Sequence, residues 1–172
     1  GEDDGFAFTD YNVVTNAWHY AALKQMEGIA GALGKQDDVA FYASESDVFK
    51  KRFIRSFFDV RKGYFTDGLA ADTDHASLHG NMFPLAFDLV PAGKKQNVVD
   101  FIQTRGMACS VYGSQFLMDA LYEANDAEYA LHMLTKTDDR SWYNMIRVGS
   151  TISLEAWDNK YKPNQDWNHA WG

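Results

Sequence analysis

The stretch Ser150-Thr151-Ile152-Ser153-Leu154-Glu155-Ala156-Trp157-Asp158 sets a carboxylate between apolar neighbours and beside an indole. A tail rich in amides and rings follows, with Asn159, Tyr161, Asn164, Trp167, Asn168, His169 and Trp171. This combination suits sugar chemistry. The C–H faces of a sugar ring stack on aromatic faces, its hydroxyls pair with Asn, His and carboxylates, and hydrolysis of a glycosidic bond needs a carboxylate to activate water or attack carbon. By residue type alone, Glu155 is one of 24 acidic side chains, and most such groups in any protein are solvated surface charges.

Other chemistries find less support. His75 and His79 are four apart and could share a helix face, but no Glu flanks them in the zincin order and no third ligand is in view, so no metal centre is expected. No Gly-x-Ser-x-Gly elbow is present for a serine nucleophile. The single cysteine, Cys109 in Met107-Ala108-Cys109-Ser110, reads as a small buried residue and forms neither an internal disulfide nor a multi-thiolate site. Gly28, Gly31 and Gly34 fall within or just after a helical pattern, where they favour close packing or termination rather than a phosphate-cradling loop. No cofactor is expected.

The elements that must position these groups are helical. Trp18, Ala22, Met26, Ile29 and Leu33 recur at steps of three and four, predicting a helix from about Thr15 to Leu33, capped by Asn12 or Thr15 and closed by Gly34. A second stripe, Tyr42, Phe49, Phe53, Phe57 and Val60, predicts a helix ending at Lys62-Gly63. Gly63 to Asp74 reads as a loop. A third helix is expected from near Ala76 with Leu78, Met82, Leu85 and Leu89 in register, kinked or shortened by Pro84. Further helices follow near Lys94 to Thr104, Val111 to Glu123 and from Ala127, with Asn125-Asp126 closing one and capping the next, and Ser141 caps a short piece holding Trp142, Met145 and Ile146. No multi-stranded sheet and no fixed-period repeat is evident, so the class is all-α, built of antiparallel helix pairs.

Composition bounds the partners. The 172 residues carry 16 basic and 24 acidic side chains for a formal charge of −8, the wrong sign for binding a phosphate backbone, so nucleic acid is not an expected partner. The longest apolar stretches are interrupted within about a dozen residues, too short to span a bilayer, and no membrane partner is expected. Aromatic residues make up 15%, enough to build helix cores and a platform for a flat ligand as well.

Three segments taken together carry a resemblance: Ser141-Trp142-Tyr143-Asn144-Met145-Ile146, Gly149-Ser150-Thr151-Ile152-Ser153-Leu154-Glu155-Ala156-Trp157-Asp158, and Asn168-His169. In this order they resemble the C-terminal part of the catalytic domain of bacterial α-L-rhamnosidases. Ile29 to Lys35, Thr104-Arg105-Gly106 and Asn125 to Leu131 are similar to family segments as well, so the likeness extends over nearly the whole chain. Ser153-Leu154 departs from the pair the family often has before the Glu, without disturbing the Glu-x-Trp spacing.

The resemblance implies an (α/α)6 toroid that removes terminal α-L-rhamnose from a glycoside or polysaccharide with inversion. Matched motif to motif, Glu155 would be the general base, His169 and Asn168 would bind sugar hydroxyls, and Trp142 or Trp157 would line the pocket. Trp18, His19 and His79 are candidate lining residues by their place near helix ends. No segment matches the family's acid-bearing motif, and such a toroid needs about twice the helices read here. Residues 1–172 are therefore expected to form about half of the toroid, a partial catalytic domain without the general acid and with little or no activity alone. Two alternatives stay open: another sugar-active (α/α)6 enzyme, and a non-catalytic helical carbohydrate-binding or interaction domain.

Overall fold

A computed structural model describes residues 3–167 and 169. The helices are α1 (Val13–Ala32), α2 (Gln36–Phe57), α3 (His79–Ala86), α4 (Lys95–Arg105), α5 (Ser114–Glu123), α6 (Ala127–Thr135) and α7 (Trp142–Arg147). Between α2 and α3 two short strands, β1 (Phe58–Asp59) and β2 (Tyr64–Phe65), pair antiparallel with Phe58 opposite Phe65. Helix α1 packs along α2, α3 lies against both α1 and α5, α4 backs α3, and α6 backs α5. Two layers result: α1, α3 and α5 in one, and α2, α4 and α6 behind them. The segments that precede α3, α5 and α7 are tied together by hydrogen bonds.

Local chemistry sets the ends. Asn12 Oδ1 accepts the Thr15 N–H at 2.9 Å, and Ser141 Oγ accepts the Asn144 N–H at 3.0 Å, each satisfying an amide that the first helical turn leaves unpaired. Gly34 turns the chain from α1 to α2 at φ +69°. Asp126 does not cap α6 as its position suggested; its carboxylate instead accepts from Gln103 Nε2 at 2.7 Å, and tertiary pairing wins over the local cap.

The structure corrects several boundaries. Helix α2 stops at Phe57, because the chain turns at Gly63 (φ +83°) and pairs β1 with β2, so Val60 sits in an exposed turn rather than on the buried stripe. The segment expected to be entirely loop therefore contributes β2. Helix α3 starts at His79, three residues later than expected, and holds Pro84 in a short span; Met82 and Leu85 within it and Leu78 and Leu89 flanking it are all buried. On α1 the buried positions are Val13, Ala17, Tyr20, Ala21 and Ala30, while Met26, Ile29 and Leu33 of the expected stripe stay exposed. The helix is apolar on two adjacent faces, and α2 and α3 cover the one with the smaller side chains. Trp18 lies between these faces, with its ring 5.0 to 5.4 Å from those of Phe83, Phe87 and Phe116.

Candidate active site

The loops leading into α3, α5 and α7 are bonded to one another in series, forming a continuous rim at one end of the molecule. Asp4 Oδ2 accepts the Leu78 N–H at 2.9 Å, and Arg105 Nη2 donates to Ala76 O at 3.2 Å. Farther round, Arg140 Nη1 donates to Met107 O at 3.3 Å, and Trp157 Nε1 donates to Cys109 O at 2.7 Å. Asn144 Nδ2 then ties α7 to Trp157 O at 2.9 Å and to Asp158 Oδ2 at 2.8 Å. The segment carrying Glu155 is thereby drawn back from the end of α7 onto the loop that precedes α5.

Glu155 is half-buried on this rim. Its Oε1 pairs with Lys162 Nζ, and its Oε2 accepts the Asp166 N–H at 3.0 Å, while its own N–H donates to Asp166 O at 3.2 Å. The Lys162 hydrogen bond, seconded by the Asp166 N–H, holds the Glu155 carboxyl below its ordinary value of 4.5. Partial desolvation acts against them, and the charges on Lys162 and His169 add smaller contributions in the same direction as the hydrogen bonds. Such a group is ionised at neutral pH, with lone pairs beyond those already engaged, as a base toward water requires. The tail makes this geometry possible: Gln165, itself buried, accepts the Ala156 N–H at 2.9 Å and folds residues 159–166 back over the strap.

The other expected residues divide. Trp142 is half-buried and lines a cavity of about 160 Å³ with Tyr112, Gln115 and Leu134. Trp157, expected at a pocket wall, is instead wholly buried, its ring 5.0 Å from Trp142 in an edge-to-face contact. An indole whose N–H is spent on a backbone carbonyl and whose ring is core-packed anchors the strap and presents no exposed face. His169 is half-buried and close enough to Glu155 to influence its charge, whereas Asn168 lies outside the described residues.

Beside His79, a candidate lining residue, the structure adds Asp67 and Arg105, which sequence reading gave no role. Asp67, fully buried, accepts four hydrogen bonds: from Ala7 N–H at 2.9 Å, His75 Nδ1 at 2.6 Å, Ser77 N–H at 3.0 Å and Ser77 Oγ at 2.7 Å. It joins residues 3–7 to the start of α3. Arg105 lies with its guanidinium 4.6 Å over the Phe101 ring and its Nε 3.6 Å from Asp4 Oδ2. His79 is pushed below its ordinary 6.5 by burial, against the opposing pull of Asp4, Asp3 and Asp67. The signal for this group was the run Asp67, His75, Ser77, His79; read for metal spacing alone, it revealed nothing. Among the described residues no group of three or more His, Cys, Asp or Glu side chains is gathered to hold a metal, and no helix is long and apolar enough to cross a membrane.

Comparison with known proteins places this geometry. An alpha-L-rhamnosidase from Dictyoglumus thermophilum matches with a TM-score of 0.68 at 23% identity, over 83% of this chain and 16% of that one. A native alfa-L-rhamnosidase from Aspergillus terreus matches with a TM-score of 0.66 at 21% identity, over 90% of this chain and 18% of that one. This chain thus spans less than a fifth of either solved chain, and the likeness identifies the fold: the two helical layers are part of an (α/α)6 toroid. No curated protein matches the sequence. The model of the family described as the bacterial alpha-L-rhamnosidase 6 hairpin glycosidase domain matches residues 1–172, the whole length, and the chain belongs to that family.

Proposed function

We propose that this chain is part of the catalytic domain of a glycoside hydrolase that removes terminal α-L-rhamnose with inversion, and that Glu155 is its general base. Glu155 takes a proton from water as the water oxygen bonds to the anomeric carbon. The bond from that carbon to the leaving oxygen breaks, and a carboxylic acid on the opposite face of the sugar, not assigned in this chain, protonates the departing oxygen. Lys162 and the Asp166 N–H keep the base ionised before the reaction, Trp157 fixes the strap that carries it, and His169 pairs with sugar hydroxyls. Trp142, half-buried beside Trp157, supplies an aromatic wall.

One observation carries this reading: in a chain that matches a rhamnosidase domain family along its whole length, the rim carries an ionised, half-buried carboxylate on a dedicated strap. With the acid supplied elsewhere, the chain alone has little or no hydrolase activity. Incubating the purified chain with an aryl α-L-rhamnoside tests that part, and measurable release of the aglycone would sink it. Rhamnose binding is a separate matter: a ligand at many times its Kd raises stability by a few kcal/mol, so a thermal shift with L-rhamnose is expected, whereas an interaction domain without a sugar site would show none.

A further inference from the structure

On the same rim, between residues 3–7 and the start of α3, lies a polar cluster that neither the hydrolytic step nor the helix packing uses. Its centre is the Asp67–His75 pair. Asp67 has no solvent exposure, yet it directs one oxygen at the Nδ1 of a His75 side chain that is 38% exposed. A carboxyl that already accepts from Ala7 and Ser77 acts as the acceptor toward Nδ1 as well, which leaves Nε2 as the ring nitrogen outside the pair. The ring is therefore held in one orientation, at the surface, by a buried carboxyl.

Around the pair sit three polar atoms that are buried and have no hydrogen-bond partner within the described residues: Asp4 Oδ1, His79 Nδ1 and Arg105 Nε. The chain spends other atoms of the same residues on architecture, with Asp4 Oδ2 on Leu78 and Arg105 Nη2 on Ala76, so the cluster is rigidly placed. Leaving buried donors and acceptors unmade is costly, and folded proteins keep such sets chiefly where a further group completes them. The set is mixed: a carboxyl acceptor, a guanidinium donor, and an imidazole nitrogen. An anion would be repelled by Asp4 and a cation by Arg105; a neutral hydroxyl, which both donates and accepts, matches all three.

We propose that Asp67-oriented His75, with Asp4, His79 and Arg105, forms a hydroxyl-binding site for a saccharide on the rim that also carries Glu155. The His75 Nε2 pairs with one sugar hydroxyl, and the Asp4–Arg105 pair takes a neighbouring one. The proposal rests on the saccharide reading above, though not on the identity of the base. These residues bind and position; none of them reacts.

The test is a titration of the whole chain, uniformly labelled with nitrogen-15, with L-rhamnose and separately with D-mannose and glycerol. The imidazole nitrogens of His75, His79 and His169 and the Arg105 Nε–H are followed. The site predicts saturable shifts at His75, His79 and Arg105 with L-rhamnose, a far weaker response to glycerol, and about fivefold weaker binding in His75→Gln, as for one lost hydrogen bond. Should rhamnose move His169 but leave His75, His79 and Arg105 still, the cluster is structural and the proposal falls while the rhamnosidase reading stands. Should D-mannose move the cluster and rhamnose not, the hydroxyl site stands and the rhamnose reading falls. Stillness at all three residues with every sugar overturns the proposal, leaving ordered water as their partner. The wild-type titration decides the matter even if His75→Gln fails to fold.

Discussion

The indole N–H of Trp157 donates to the carbonyl of Cys109 at 2.7 Å, closing a bond across 48 positions of sequence. Through it, the strap bearing Glu155 is fastened to the loop ahead of α5. Cys109 is itself fully buried, so the bond is made away from solvent.

Replacing Trp157 with Phe removes buried ring volume and the bond to the Cys109 carbonyl. The expected cost is about 2 kcal/mol of unfolding free energy, since it combines a partial cavity with a lost hydrogen bond. Urea denaturation followed by far-UV circular dichroism measures it. An unchanged midpoint would mean that the strap is held by other contacts.

Lys162 holds the Glu155 carboxyl below its ordinary value, so Lys162→Met should raise the Glu155 midpoint in a carbon-13 carboxyl titration. The sign for stability follows. With the folded value depressed, the contribution of Glu155 is present above 4.5 and is lost as pH falls through the lower folded value. A midpoint that does not move on substitution would show that the ion pair is absent in solution.

His79 runs the other way from a paired histidine. Burial depresses its folded value below 6.5, so the unfolded chain binds the proton more readily, and stability falls as pH drops from about 6.5 toward the folded value. Urea midpoints measured between pH 7.5 and pH 5 should decline across that window. In His79→Gln the slope should flatten, and an equal slope in both proteins would assign the effect to another group.

Two glycines in helices should respond oppositely to Ala. A Cβ at Gly80 would meet Asp67 Oδ1 at 2.7 Å and Val13 Cγ1 at 3.1 Å, forcing apart the carboxyl that organises the rim. Gly80→Ala is expected to cost about 1 to 3 kcal/mol by overpacking. At Gly28, inside α1, a Cβ meets nothing within 4 Å, and Gly28→Ala should add up to about 1 kcal/mol through helix propensity. Thermal denaturation of the two variants compares them directly, and stabilisation by both would mean that Asp67 moves freely.

Much of this architecture is written locally. The Asn12 and Ser141 caps, the Gly34 turn and the buried Leu78, Met82 and Leu85 of α3 follow from residue type and helical spacing. What could not be read depended on distant partners. Which apolar face of α1 is covered depends on where α2 and α3 lie. Trp157 looked like a ligand platform because nothing nearby in sequence reveals that Cys109 waits for its N–H. Lys162 and Asp67 likewise take their meaning from groups brought to them by the fold. An α6 cap at Asp126 was sound by propensity and yielded to the side chain of Gln103.

The central claim is that Glu155 is the base in an inverting removal of α-L-rhamnose. Its most direct test is proton NMR of an aryl α-L-rhamnoside turning over on the enzyme that contains this domain, wild type beside Glu155→Gln. The account predicts β-L-rhamnose as the first-formed product and a loss of turnover of about 10² to 10⁴-fold in the variant, with an unchanged melting profile. First-formed α-L-rhamnose, or a variant that turns over at the wild-type rate, would contradict it.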